Sequence, residues 1–527
     1  MKGYLDISVH RGSILEEFFR IEFQTQQPLR EHPSRNPLSY QNVKKIKLWL
    51  KECGKKHKIC NSNKTSFSPT RLIAVGSSGD PLRIVLSEGR PLKYVALSYC
   101  WGKPEIVAPS MTKSTNLTDR LAGFPEAGLP RTLQDAIHVI RRLDIRYIWI
   151  DALCIIQDNI NDWEKEAKTM GSIYENAYFT IAATAAKGSS EGFLTRPSCC
   201  KLEIPFTVTE QDKVVQGGTF YLGYPWHSPT DTLISTSKWR RRGWVFQEQI
   251  LSTRILYFTN DILYFECLST QKVEDDVYGL PPALVTPWFR DAKIQKRRLR
   301  SGPTGVDAYP YWYSVVEEYA EREFSFPEDK LPAISGLAQK MARTIDDRYL
   351  AGLWKGDLHR GLLWRPRIKM HMTRPPQPGA PSWSWAALDG EIEWDRVSFL
   401  RACSIEILNA EITPFGPDPM GRVTGGQLVL SGKFLPVGKV LRHPRRVRAG
   451  DYTDSDHGEA HCDLYDLDFD ISSEGSIQAL MVVDGEGLLL EPADHSGEQN
   501  EGHRRIGYFE CDLSVFDQVE PRVITII

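Results

Sequence analysis

Residues Tyr147 to Thr184, YIWIDALCIIQDNINDWEKEAKTMGSIYENAYFTIAAT, decide how this chain folds. Tyr147-Ile-Trp-Ile150 is a short aromatic and β-branched run that reads as a buried strand. Cys154-Ile-Ile156 continues apolar, and Asn159 to Asp162 supply the turn and N-cap of a helix. On that helix Trp163, Ala167, Met170, Ile173, Tyr174 and Ala177 recur at helical spacing and form one apolar stripe. Tyr178 to Thr184 is the next strand, and Ala182 and Ala183 are small enough to admit a close neighbour. Strand, helix and strand in this order make a parallel βαβ unit, whose ligand-binding groups gather beyond the carboxyl ends of the strands.

Three acids stand in or near that region: Asp151, Asp158 and Glu166. Asp151 sits where the first strand gives way. Asp158 precedes the N-cap turn and suits a structural job. Glu166 lies three residues after Trp163 and four before Met170, so it projects beside the apolar stripe. Burial there raises a carboxyl pKa unless a cation or hydrogen-bond donors compensate. The competing reading is a glutamate at the edge of the stripe, paired with an arginine. Glu164 and Lys165 read as solvated.

Working back towards the start, Pro130 and Thr132 open a helix whose stripe is Leu133, Ala136, Ile137, Ile140 and Leu143. Before it, Tyr94-Val-Ala-Leu-Ser-Tyr-Cys-Trp-Gly102 is a strand ending in a polar and aromatic turn. Ser98 and Cys100 have no nucleophile elbow or protease signature around them, so positioning roles are expected. Leu72–Val75 and Leu82–Leu86 flank a Gly-Ser-Ser-Gly-Asp turn and read as a hairpin. Further back, Val43, Ile46 and Leu50 share a helix face that runs into Cys53, His57 and Cys60. This C-x3-H-x2-C spacing could give zinc three ligands, with Cys199-Cys200 offering a fourth. The favoured expectation is a helix end with packed thiols, and no residue is assigned to a metal. Residues 1–40, with Pro28, Pro33 and Pro37, read as a loosely ordered lead-in.

Working forward, Lys238-Trp-Arg-Arg-Arg-Gly-Trp-Val-Phe-Gln-Glu-Gln-Ile-Leu-Ser252 is a second dense cluster. Arg240, Arg241 and Arg242 could bind phosphate or neutralise Asp151 and Glu166, and Trp244, Gln247 and Glu248 share a helical face. Arg254–Phe258 and Ile262–Glu266 form a hairpin. Helices are expected at 312–322, 330–344 and 349–363, and beyond Pro381 the chain turns β-rich, with Asp451 to Glu459 as a flexible insert. The basic run Lys293 to Arg300 lacks interleaved aromatics, so it is read as an exposed face rather than a nucleic-acid site.

Bulk composition sets the class. The 527 residues are 41% hydrophobic and 25% charged, ordinary for a globular protein of two or three domains. Lys plus Arg (65) nearly cancels Asp plus Glu (67), so the formal charge of -2 gives no global pull towards nucleic acid or membrane. No apolar run reaches membrane-spanning length, the first residues lack a signal-peptide pattern, and ten scattered cysteines suit reduced thiols. A cytoplasmic location is expected. Walker, Rossmann, HExxH and paired CxxC motifs are absent.

Four segments together resemble the fungal heterokaryon-incompatibility (HET) domain family. They are Tyr94 to Gly102, Trp149-Ile-Asp-Ala-Leu-Cys-Ile-Ile-Gln-Asp158, Trp163-Glu-Lys-Glu-Ala-Lys-Thr-Met-Gly-Ser-Ile-Tyr174, and Arg242-Gly-Trp-Val-Phe-Gln-Glu248 with Leu251-Ser252. Pro327 to Gly336 and Pro381 to Ala386 are similar to segments found downstream in such proteins. The resemblance implies non-self recognition and regulated cell death. It also implies a TIR-like α/β fold, and TIR domains include enzymes that cleave NAD at the nicotinamide–ribose bond. On that comparison Val95 to Tyr99 is the first strand and Glu166 the catalytic carboxylate, supported by Asp151. Ser98, Trp101, Arg240, Arg241, Arg242 and Glu248 are the NAD-binding candidates.

The expected organisation is a lead-in (1–90), a TIR-like parallel-sheet HET domain (91–270), a helical region (271–380) and a β-rich region (381–527). Two functions stay open. One is an effector that hydrolyses NAD as substrate, with no bound cofactor. The other is a non-enzymatic signalling or oligomerisation module whose acidic and arginine residues are structural. Self-association or a protein sensor is the expected partner, with no nucleic acid and no membrane span.

Overall fold

The computed structural model describes residues 35–62, 67–196, 234–274, 308–367, 372–436, 477–493 and 502–527 with their side chains, and Lys296 and Arg298 besides. It also gives the backbone of strands Lys2–Arg11, Ile14–Gln24, Leu202–Glu210, Lys213–Leu222 and His461–Leu464. Cys199-Cys200, Asp451 to Glu459 and most of the basic run lie outside the described residues.

The central sheet has eight strands. In chain order they are β1 (Arg71–Ala74), β2 (Arg83–Leu86), β3 (Tyr94–Ser98), β4 (Tyr147–Trp149), β5 (Thr180–Ala182), β6 (Arg254–Phe258), β7 (Leu263–Cys267) and β8 (Gln271–Val273). Their spatial order is β8-β7-β6-β5-β3-β4-β1-β2. The middle four, β6-β5-β3-β4, run parallel, and antiparallel hairpins extend both sides. Val95, Ala96, Leu97, Ile148, Trp149 and Ile181 are wholly buried, as strands covered on both faces require. The βαβ unit is present, with one refinement: β3 lies between its two strands. Numbered within the parallel set, the order is 2-1-3-4, so the winding reverses between β3 and β5. Crevices form at the carboxyl ends of strands at such a reversal.

Four helices concern the sheet: α1 (Tyr40–Lys56), α2 (Arg131–Arg142), α3 (Ile160–Asn176) and α4 (Gly243–Leu251). The Asn159 side chain accepts from the amides of Asn161 and Asp162 and starts α3 where the sequence places it. The hairpin β1–β2 and helix α1 fall within 1–90, yet they complete the sheet and its core. Residues 1–40 also differ from the expectation. Lys2–Arg11 and Ile14–Gln24 pair as an antiparallel hairpin, and the three prolines fall after it.

Two further helices, α5 (Ala308–Ala320) and α6 (Pro332–Ile345), build a second core around Trp312, Trp354, Trp364 and Trp383. The helix expected over 349–363 is instead two short strands, Tyr349–Leu350 and Leu353–Trp354, followed by single turns. Gly352 at φ +101° turns the chain there, and its carbonyl accepts from Trp312 and Trp385 at 2.8 and 3.1 Å. A β-carbon at Gly352 would fall 2.4 Å from the Trp385 indole nitrogen, so the turn depends on glycine.

The last region is β-rich, as expected. Strands Val423–Pro436, Gln478–Val483, Glu486–Pro492, Gly502–Glu510 and Pro521–Ile526 pair in sequence, and the last returns to the first, closing a small barrel. From its edge Arg422 lies over the Trp163 ring at 5.0 Å and faces Glu164 at 3.8 Å and Asp329 at 3.6 Å. Glu164 is therefore buried rather than solvated, because a distant part of the chain covers that face of α3.

The regions lock together where α3, α4 and α6 cross. Gly171 and Gly336 bring two helix backbones into contact, and the fully buried Gln247 of α4 accepts from the Gly336 amide at 2.7 Å. A methyl group at Gly336 would fall 2.5 Å from Gln247 Oε1. Alanine improves helix propensity by ~1 kcal/mol, but overpacking and the lost hydrogen bond together outweigh that. Gly336→Ala is expected to destabilise the protein by about 1–3 kcal/mol, read as a lower thermal midpoint; an unchanged or raised midpoint would contradict this packing.

Candidate functional site

At the reversal point the chain brings together groups from four elements. Strand β3 ends in Ser98 and runs on to Tyr99 and Trp101. Asp151 follows β4, Tyr174 comes from α3, and α4 contributes Arg242 at its start and Glu248 in its middle. Trp101 Nε1 donates to Asp151 Oδ2 at 2.7 Å, and the Ala152 amide donates to Oδ1 at 2.7 Å. The Arg242 guanidinium donates to the Tyr99 carbonyl. Trp239 Nε1 donates to Ser98 Oγ at 2.7 Å, and the Tyr174 hydroxyl to the Leu97 carbonyl at 3.0 Å. Gly102, at φ +76°, closes the β3 turn against Gly188 in the loop after β5, and the Ser189 amide donates to the Trp101 carbonyl.

The cluster runs from solvent inwards. Trp101, Asp151 and Arg242 are half-buried, whereas Ser98, Tyr99, Tyr174 and Glu248 are buried. Glu248 has the most consequential electrostatics. Burial pushes its carboxyl up to about 7, against the pull of the Arg242 charge and the Ser98 hydroxyl; Asp151 adds to the rise. Its Oε2 has no hydrogen-bond partner among the described residues. Burial also raises Asp151, offset by Arg242, the Trp101 and Ala152 hydrogen bonds and Tyr99. Arg242 shows the complement: burial alone would lower it, but Glu248, Cys100 and Asp151 hold it above its ordinary value. Burial also raises the Cys100 thiol, which suits a packed group rather than a nucleophile.

Of the residues singled out in the sequence, Ser98, Trp101, Asp151, Arg242 and Glu248 therefore meet in one place. Glu166, Arg240 and Arg241 do not join them. Glu166 is 1% exposed and faces Arg71 at the start of β1, 3.4 Å away; Arg71 also holds Asp162 at 2.5 Å. Burial raises its carboxyl, while Thr70 and Arg71 pull it down. This corrects the expectation that Glu166 heads the acidic site and fits the competing reading of a paired edge glutamate. Arg240 turns instead to Glu318 and Glu321 of the middle region, and Arg241 is exposed beside Glu323. The three arginines diverge because residues 238–241 form one helical turn, about 100° per residue, and Arg242 leaves it in extended backbone. Asp158 accepts from the Ser114 amide and hydroxyl, a structural task.

Tyr99, Tyr174 and Trp239 join the cluster without having been singled out as site residues. Tyr174 reads in sequence as one more member of the apolar stripe, since periodicity ranks its ring and ignores its hydroxyl. A polar, open depression of about 660 Å³ on the barrel, near Phe434, His503 and Arg522, is a weaker candidate because it lacks a buried carboxylate facing a guanidinium.

An α/β domain with a carboxylate–guanidinium cluster at the strand-order reversal of a parallel sheet is the class that fold and site define. Residues 94–248 match the family model of the heterokaryon incompatibility protein (HET), and this part of the chain is a HET domain. No curated protein and no solved structure matches the chain. No helix among the described residues is long and apolar enough to cross a membrane.

Two measurements test these assignments. Removing the guanidinium in Arg71→Met strands Glu166 and Asp162, and is expected to cost about 3–5 kcal/mol of stability; a wild-type thermal midpoint would refute the clamp. Glu248 has a folded pKa above its unfolded value, so the folded state keeps a proton the unfolded state releases. Its contribution to stability is therefore lost as pH rises from about 4.5 to 7, by roughly 3 kcal/mol in all. In Glu248→Gln that slope disappears, and urea titrations of both proteins across this range should diverge as pH rises.

Proposed function

We propose that this chain is a HET effector of heterokaryon incompatibility and cell death. We further propose that the Asp151–Arg242–Glu248 cluster, rather than Glu166, carries its chemistry, and that its substrate is NAD. The supporting observation is the incompletely compensated carboxyl of Glu248 at the reversal point, pushed up to about 7 in the field of Arg242 and Asp151, with Trp101 bonded to Asp151. The 2-1-3-4 parallel order further supports a TIR-like reading of the fold.

In this reading Arg242 meets the diphosphate and Trp101 offers an aromatic face to the nicotinamide ring. The bond from ribose C1′ to the pyridinium nitrogen breaks, and its electron pair leaves with neutral nicotinamide. The cationic ribose is steadied by ionised Glu248, with Asp151 nearby. Water adds at C1′ and loses a proton, giving ADP-ribose. Exclusion of bulk water strengthens the carboxylate's effect.

A second reading has its own observation. Glu166, Asp162 and Arg71 form a buried ion cluster with no chemical task, and Arg240 joins the HET domain to the middle region. Those contacts suit a signalling or oligomerisation module that works with copies of itself or a protein sensor.

Nicotinamide release from NAD by the purified full chain decides between the two. The enzymatic reading expects turnover that increases as pH passes about 7, because Glu248 must ionise. Turnover should fall at least ~100-fold in Glu248→Gln, while Glu166→Gln loses stability before activity. A folded protein inert towards NAD in both monomeric and self-associated preparations would leave the module reading standing.

A further inference from the structure

The opposite edge of the same sheet carries a different cluster. Strand β6 runs parallel to β5, and Arg254 is its first residue; Cys267, the last residue of the antiparallel β7, pairs with it. Cys267 therefore sits at the amino ends of the parallel strands, away from the cluster around Glu248. There it meets the end of α1. Cys53 lies in the last turn of that helix, His57 is its C-cap four residues on, and Cys60 closes the 3-10 turn that follows. Residues four apart share a helix face, and the tight turn bends Cys60 back towards them.

We propose that Cys53, His57, Cys60 and Cys267 form a structural zinc site. Their ligand atoms all lie within 4.8 Å of one another, with Cys267 Sγ 3.4 Å from His57 Nδ1. A Cys3His zinc tetrahedron, with bonds of about 2.3 Å to sulfur and 2.0 Å to nitrogen, has edges of roughly 3.5–3.8 Å. All four cysteine and histidine side chains are drawn inwards, three buried and one half-buried. None of the three thiols is in a disulfide.

Hydrogen-bond donors face two of the three sulfurs. The amides of Ser269 and Thr270 donate to Cys267 Sγ at 3.4 and 3.3 Å, and Arg254 Nε donates to Cys53 Sγ at 3.1 Å. Such donors stabilise anionic sulfur and orient it towards a metal. Three thiolates and a neutral imidazole around zinc(II) leave one net negative charge, and the Arg254 guanidinium stands beside it to neutralise it. Asn61 fixes the turn by donating to the carbonyls of Cys53, Gly54 and His57. With all four positions filled by protein, the ion has no open site for substrate, so its role is to hold α1 against β7, 210 residues along the chain from His57. The first three ligands were visible as a spacing; the fourth comes from a strand with no paired cysteine motif.

The test uses full-length protein expressed without chelator. Elemental analysis should find about one zinc per chain, and exchange with cobalt(II) should give thiolate-to-cobalt charge transfer with tetrahedral d–d bands. Zinc should fall to near zero in Cys267→Ser and stay at wild-type level in Cys403→Ser, whose cysteine is exposed and outside the cluster. Because Cys267→Ser could fail to fold, the wild-type protein is also tested: a strong chelator should lower its thermal midpoint, and added zinc should restore it. A folded wild-type protein that contains no zinc and takes up neither zinc nor cobalt after reduction overturns the proposal, as does a disulfide among the three thiols.

Discussion

The near-complete burial of one short helix is the constraint on which the rest depends. Helix Gly243–Leu251 has no solvated face: from Val245 to Leu251 every residue is buried. Glu248 points towards the ends of the parallel strands, and Gln247 is sandwiched between Gly171 and Gly336. A nine-residue helix with little amphipathic character is not stable alone in water. It persists because sheet, α3 and α6 cover it at once, so the HET domain and the middle region share one interior.

Two buried glutamates show how differently the fold treats one chemical group. Glu166 lies against an arginine that also anchors Asp162 and the Cys154 carbonyl, which offsets part of the cost of its burial. Glu248 also lies in the field of an arginine, but Arg242 spends a donor on the Tyr99 carbonyl and Asp151 competes for its charge. Burying a charge without full compensation costs several kcal/mol, ~3–5 by mutational measure. Both glutamates keep one carboxylate oxygen without a partner among the described residues, and burial raises both; Glu166 has a direct ion pair with Arg71, whereas Glu248 is pushed up to about 7.

What could be read in the sequence follows from the range of the forces involved. Strand β4, helix α3 and the β6–β7 hairpin were legible because periodicity and capping are local. Ser98, Trp101, Asp151, Arg242 and Glu248 were legible as candidates because they sit at strand ends or in the dense cluster from Lys238 to Ser252. Helical phase put Glu166 on a buried face, but phase cannot name the partner waiting there; Arg71, nearly a hundred residues earlier, decides its role. Glu164 was misread for the same reason, since Arg422 covers it from the barrel. The expected helix at 349–363 failed on one backbone property, the turn at Ala351-Gly352, which apolar spacing does not register.

Arg254 has a further consequence. It opens the fourth parallel strand, beyond residue 248 where the family match ends, and Arg71, the counter-ion of Glu166, lies before residue 94 where it begins. The boundaries drawn by sequence similarity thus cut through hydrogen-bonded sheet on both sides. Excising 94–248 would strip two open edges, orphan a buried carboxylate and separate α4 from the helix that covers it. The family segment is a unit of descent, while the unit that folds is larger and reaches from α1 into the barrel.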